Sequence, residues 1–137
     1  MHAKLCIIVA AAFLLLAATP AAAHHAFAAE FDSDKPVKVK GSVTKVEWVN
    51  PHAWIYVDVK GDDGKVVNWH FELGPPNALF RLGWKKDAIP EGTQVEISGY
   101  RAKSGENVGN GRSITLPDGR ELFSGGSGPG EGASKQQ

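Results

Sequence analysis

The sequence predicts an all-β domain: a small, five-stranded, OB-like, partly open barrel with a short helix between strands 3 and 4. Three observations lead there. Residues 52–73 hold two runs of alternating side chains, Ala53, Ile55, Val57, Val59 and then Val67, Trp69, Phe71, Leu73, separated by Gly61-Asp62-Asp63-Gly64. Alternation at period two is the mark of a half-buried strand, and Gly and Asp supply turn chemistry, so this stretch is a hairpin. One strand precedes the hairpin, and a short helical segment separates it from the strands that follow, which is the element order of the small barrel. A barrel also hides the strand edges that an all-β monomer must otherwise protect. The competing arrangement is a flat meander with the helix covering one face.

The elements follow in chain order. Lys4, the apolar run from Leu5 to Ala18 and the small residues Ala21-Ala22-Ala23 have the form of a secretory signal peptide over residues 1–23. The run is short for a membrane anchor, and Thr19 and Pro20 end it. The expected location is therefore periplasmic or secreted, with no stable membrane span after cleavage. Cleavage removes Cys6 and Met1, so the processed chain has no disulfide and no soft sulfur ligand. What remains is the size of one domain. With 15 basic and 15 acidic residues, the chain lacks the dominant positive charge of a nucleic-acid surface.

Residues 24–35 read as an irregular N-terminal arm, with Phe27 and Phe31 as its anchors, and residues 36–123 as the β domain. In residues 36–49, Val37, Val39, Gly41 and Val43 share one parity while Val46 and Trp48 fall on the other. Such a phase change predicts a bulge or a sharp coil, eased by Gly41. Asn50-Pro51 turns the chain into the hairpin. Asn77 is expected to cap a helix that runs to Leu82 and stops at Gly83, with Leu79, Phe80, Leu82 and Trp84 as its apolar surface. Residues 93–101 are the next strand, residues 103–111 a polar glycine-rich loop, and residues 113–116 the last short strand. Leu122-Phe123 pairs or packs after the turn at Pro117-Asp118-Gly119-Arg120. Residues 124–137 carry no apolar anchor from Gly125 onward and are expected to be a disordered tail. The expected shared core is Val37, Val39, Ile55, Val57, Trp69, Phe71, Val95 and Ile97.

Several segments together resemble a family of small exported bacterial proteins of unknown function, whose mature chain begins with a His-His pair. They are His24-His25-Ala26-Phe27-Ala28-Ala29-Glu30-Phe31, Glu47-Trp48-Val49-Asn50-Pro51-His52 and Trp69-His70-Phe71-Glu72-Leu73-Gly74. Pro76-Asn77-Ala78-Leu79, Gly99-Tyr100-Arg101-Ala102-Lys103 and Leu116-Pro117-Asp118-Gly119-Arg120 complete the likeness, which extends over nearly all of residues 24–123. The resemblance implies export and a single folded unit. It implies no reaction.

Of the five histidines, cleavage after Ala23 leaves His24, His25, His52 and His70. A chain that begins at His24 offers its α-amino nitrogen and imidazole together, a pair suited to Cu(II), with His25 or another histidine assisting. The plainer reading is a polar leader that no ligand uses. His52 opens the second strand and reads first as an imidazole that fixes the turn by bonding loop carbonyls, ahead of a ligand role. His70 shares a strand face with Asn68 and Glu72, where Glu72 would orient it or share a ligand. Trp54 and Tyr56 lie on the polar parity of the neighbouring strand and are either a binding platform or a surface covered by the arm. An arm folded over that face would carry His24 and His25 towards His70 or His52. Arg101, Lys103 and Arg112 form either a small anion-holding patch or an ordinary charged loop. Ser42, Ser98 and Ser113 stand outside any nucleophile-elbow pattern, and Gly109-Asn110-Gly111 lacks the lysine of a phosphate loop, so an enzyme is the least favoured class. Two readings remain. One is a periplasmic binding module, with copper as its named ligand. The other is a non-metal structural or protein-interaction domain, with an envelope protein as partner.

Overall fold

The computed structural model describes residues 26–125. The expected leader, the His24-His25 pair and the expected tail beyond residue 125 lie outside the described residues. The elements run β1 (Phe31–Glu47), β2 (Trp54–Lys60), β3 (Val66–Glu72), α1 (Pro76–Arg81), β4 (Gln94–Ala102), β5 (Val108–Thr115) and β6 (Glu121–Phe123).

The five-stranded barrel does not form. The strands make one mostly antiparallel, six-stranded sheet in the order β3-β2-β1-β4-β5-β6, and this sheet does not close into a barrel. Two features account for the difference. Leu122 pairs with Ile114, so Glu121–Phe123 adds a sixth strand to β5. β3 and β5 meet in parallel through only three residue pairs, His70 to Glu72 against Val108 to Asn110, too short a seam to make a barrel. The OB-like label falls with the barrel.

β1 is longer than its sequence signal. It starts at Phe31, inside the expected irregular arm, while residues 26–30 are helical. Its first half pairs with β4 and its second half with β2. The expected phase change is present: the register with β2 shifts between Val43 and Lys45. Val39 and Val43 are buried before the shift, and Val46 and Trp48 pack on the same core after it. Gly41 sits where β1 crosses β2, and a Cβ there would lie 2.4 Å from the Asp58 carbonyl oxygen. Only glycine lets the backbones approach so closely.

The hairpin forms as read, with Tyr56 opposite His70 and Ile55 opposite Phe71. Ile55, Val57, Phe71 and Ile97 are fully enclosed, and Val39 and Val95 are buried with them. Val37 and Trp69 pack on this core from partly exposed positions. Each fully buried aliphatic or aromatic side chain contributes about 1.5–3 kcal/mol. α1 closes the open side by burying Leu79, and the following Trp84 and Ile89 complete the closure. Its cap is Pro75, with no side-chain bond, so Asn77 does not cap it. Pro76 instead supplies a pre-set first turn. The Gly83 N–H donates to the Phe80 carbonyl at 3.1 Å as the helix stops. The Trp84 indole N–H donates to the Phe123 carbonyl at 2.8 Å, tying the segment after α1 to the end of the sheet.

Candidate functional site

Polar chemistry gathers where β3 meets β5. His52 follows the Asn50–Pro51 turn, whose peptide is cis, and its Nδ1 stands 3.3 Å from Glu72 Oε1. Glu72 ends β3 with only 7% of its surface exposed. It lies in register with Trp54 on β2 and with Asn110 on β5, and Asn110 lies opposite Tyr100 on β4. Register neighbours share a sheet face. Burial pushes the Glu72 carboxyl above its ordinary range. The His52 imidazole pulls it down, the Glu30 carboxylate pushes it further up, and the nearby Asn110 amide favours the ionised form. Asn110 is fully buried, and its side-chain amide, close to Glu72, makes no hydrogen bond of full geometry.

The N-terminal segment packs beside this cluster. Phe27 and Phe31 are buried with Ala102, against Tyr100 and Val108. The Phe27 ring lies 5.6 Å from Phe31 and 5.7 Å, edge-on, from Tyr100. The Lys103 N–H donates to the Glu30 carbonyl at 2.9 Å, and the Lys103 ammonium donates to the Ala28 carbonyl. Val108 is the register partner of His70, so the arm sits on the sheet face that carries His70 and Glu72. Phe27 and Phe31 are the anchors expected of them. They land on Tyr100 and Val108 rather than on Trp54 and Tyr56.

The other expected site residues are distributed as follows. Tyr56 and His70 come together, with ring centres 4.6 Å apart. The Tyr56 hydroxyl donates to Glu47 Oε2 at 2.7 Å, which pushes the phenol above its ordinary range. Lys45 holds the Glu47 carboxylate below its own range, with Tyr56 assisting. Glu72 pairs with His52 rather than with His70, and Asn68 donates to Asp58 at 2.8 Å. Trp54 lies beside Glu72 in the ladder. Arg101, Lys103 and Arg112 do not pool their charge: Arg101 lies over Trp69, Arg112 over Tyr100, and Lys103 holds the arm. Among the described residues, no group of three or more His, Cys, Asp or Glu side chains is placed to hold a metal ion. The expected copper site therefore has no counterpart there. His52 and His70 are engaged with Glu72 and Tyr56, and His24 and His25 lie outside the described residues.

A second surface surrounds α1. Trp48 stacks on Phe80 at 5.0 Å and meets Trp84 edge-on at 6.0 Å. Outward from these lie Val49, Phe80, Leu82 and Phe123, the last 64% exposed. Arg81, Lys85 and Lys86 are exposed in the same stretch. Among the described residues, none of these three cations forms an ion pair. Of the apolar surface expected of the helix, Leu79 and Trp84 are buried and Phe80 and Leu82 are exposed. The helix ends at Arg81, so of these four only Leu79 and Phe80 belong to it, and its single buried residue is Leu79.

No helix among the described residues is long and apolar enough to cross a membrane. Fold and surface together define a small β-sheet domain with an N-terminal segment docked on one face and an exposed apolar and basic surface round α1. Residues 11–112 match the model of a family of unknown function (DUF6152), and the chain belongs to that family. No curated protein and no solved structure matches it.

Proposed function

We propose that this chain is an extracytoplasmic interaction module that works through the surface round α1. One observation carries the reading: Val49, Phe80, Leu82 and Phe123 stay exposed round an otherwise well-closed core. Their neighbours Leu79, Trp84 and Ile89 are buried, so the fold has already taken what it needs from this segment. Exposed large apolar side chains that cluster mark a contact surface. Export is taken from the leader signature of residues 1–23.

The test is fractionation of cells that express the full chain. Association with the envelope should depend on Phe80 and Leu82, so Phe80→Ser with Leu82→Ser should release the protein to the soluble fraction. Val66 and Val67 are also exposed, at the hairpin end, and serve as the control. Equal release by Val66→Ser with Val67→Ser, or no release by the α1 pair, would sink the proposal. Unfolding curves of both variants confirm that each remains folded.

A further inference from the structure

We infer that the surface round α1 binds an anionic lipid bilayer as a peripheral contact; this rests on the proposed function above and names its partner. Two properties coincide there. Phe80 and Leu82 are 40% and 54% exposed, and Phe123, also exposed, ends the sheet where its carbonyl accepts from the Trp84 indole. Gly125, just beyond Phe123, lies close to Leu82: a Cβ there would be 3.3 Å from Leu82 Cδ1. Residues 80–87 carry Arg81, Lys85 and Lys86 against the single acid Asp87. The whole chain has equal numbers of acids and bases, so this is a local excess.

Elsewhere many cations are engaged, though Lys60 is in no ion pair among the described residues. Lys38 and Lys40 share Glu96, Arg120 holds Asp118, and Lys45 holds Glu47. Arg81, Lys85 and Lys86 have no such partner among the described residues. Apolar side chains that enter the headgroup boundary, ringed by cations that meet anionic headgroups, are the two components of peripheral membrane binding. A protein partner would need acidic side chains placed to meet these three cations, whereas an anionic bilayer offers that charge across its whole surface. The unpaired cations favour the lipid surface. The Val66–Val67 patch is the internal contrast: Lys60, opposite Val66, and Lys65 are matched there by Asp62 and Asp63, so the patch has no net positive charge.

The test is vesicle sedimentation with the full chain as the cell processes it. The probe is vesicles of roughly equal parts phosphatidylglycerol and phosphatidylcholine, against vesicles of phosphatidylcholine alone. The protein should sediment with the first and not with the second, and added salt should release it. Each cation is worth about fivefold in partitioning at such a surface. Lys85→Gln with Lys86→Gln should therefore weaken binding by roughly 25-fold, and Leu82→Ser should weaken it at constant charge. No sedimentation with the anionic vesicles, or sedimentation unchanged by these variants, overturns the inference. If the vesicles fail while fractionation still depends on Phe80 and Leu82, the interaction surface stands and its partner is a protein.

Discussion

Gly109 is where the β3–β5 contact is most easily broken. It lies opposite Phe71 in the short parallel ladder. A methyl group there would stand 2.6 Å from Phe71 Cε1 and 3.0 Å from the Tyr100 carbonyl oxygen. Carbon atoms in good contact sit about 3.5–4.0 Å apart, so the ring must move by roughly 1 Å. Phe71 is fully buried and has no room to do so. Overpacking of this kind costs about 1–3 kcal/mol. The stiffer unfolded chain of alanine offsets about 0.4–1 kcal/mol of that. Gly109→Ala should therefore destabilise by about 0.5–2.5 kcal/mol. Phe71→Leu shortens the ring and should itself cost about 1–2 kcal/mol. In the Phe71→Leu background, Gly109→Ala should be close to neutral, leaving a coupling of about 0.5–2.5 kcal/mol between the sites. Urea unfolding of the four proteins measures this, followed by the combined fluorescence of the four tryptophans, among them Trp69, which stacks on Phe71 at 5.7 Å. Additive costs, within about 0.5 kcal/mol, would mean that β5 does not lie against Phe71 and that the ladder is wrong.

Two further outcomes follow from the cluster and from the leader. The Glu72 carboxyl is pushed above its ordinary range, chiefly by burial. The folded protein then holds a proton that the unfolded chain has released, so stability falls as pH rises from the ordinary carboxylate range through the raised value. Glu72→Gln should remove this fall, and the difference between the two unfolding free energies across pH isolates it from other carboxylates. His52, Glu30 and Asn110 are the groups that face the carboxyl. A wild type that gains on the variant as pH rises would show that the His52 attraction outweighs burial. Intact mass of exported protein should place its first residue at His24, after the small residues Ala21 and Ala23; a mass that retains residues 1–23 contradicts this.

The parts of the fold that the sequence revealed are those written in local periodicity. The hairpin of β2 and β3 is one such part, because both strands alternate cleanly and Gly61 to Gly64 turns between them. The bulge in β1 is another, since Val43 and Val46 cannot share a face without it. Phe31 was harder to place. Asp32, Ser33 and Asp34 read as loop, yet Phe31 pairs with Ala102 across a register shift before Pro36 resumes the ladder. β5 was also obscured, because Gly109 and Gly111 resemble a flexible loop. Their missing side chains are what let β5 approach Phe71 and Leu73. Closure failed as a prediction because order along the chain does not say how many pairs two distant strands will share.

The polar cluster was only half legible, for a related physical reason. His70 and Glu72 were linked because they lie two residues apart on one strand. Alternation fixes which side chains share a face and leaves open which neighbouring strand supplies a partner. The partner came from the turn instead, as His52 reached Glu72. Asn110 was invisible for the same reason, since an asparagine between two glycines in sequence carries no sign that it will be buried. A buried polar group left without a full hydrogen bond costs up to about 3 kcal/mol, against a total stability of about 5–15 kcal/mol for a typical domain. The α1 surface differs in origin. Its cations were in plain view, but a neutral total of 15 bases and 15 acids hides a local excess. Lys38, Lys40, Lys45 and Arg120 are paired elsewhere, whereas Arg81, Lys85 and Lys86, like Lys60, lie outside the ion pairs of the described residues, and these three fall close together. A sum over the sequence cannot distinguish a cation already neutralised by a neighbour from one still available to a partner, and that distinction separates an ordinary surface from a binding one.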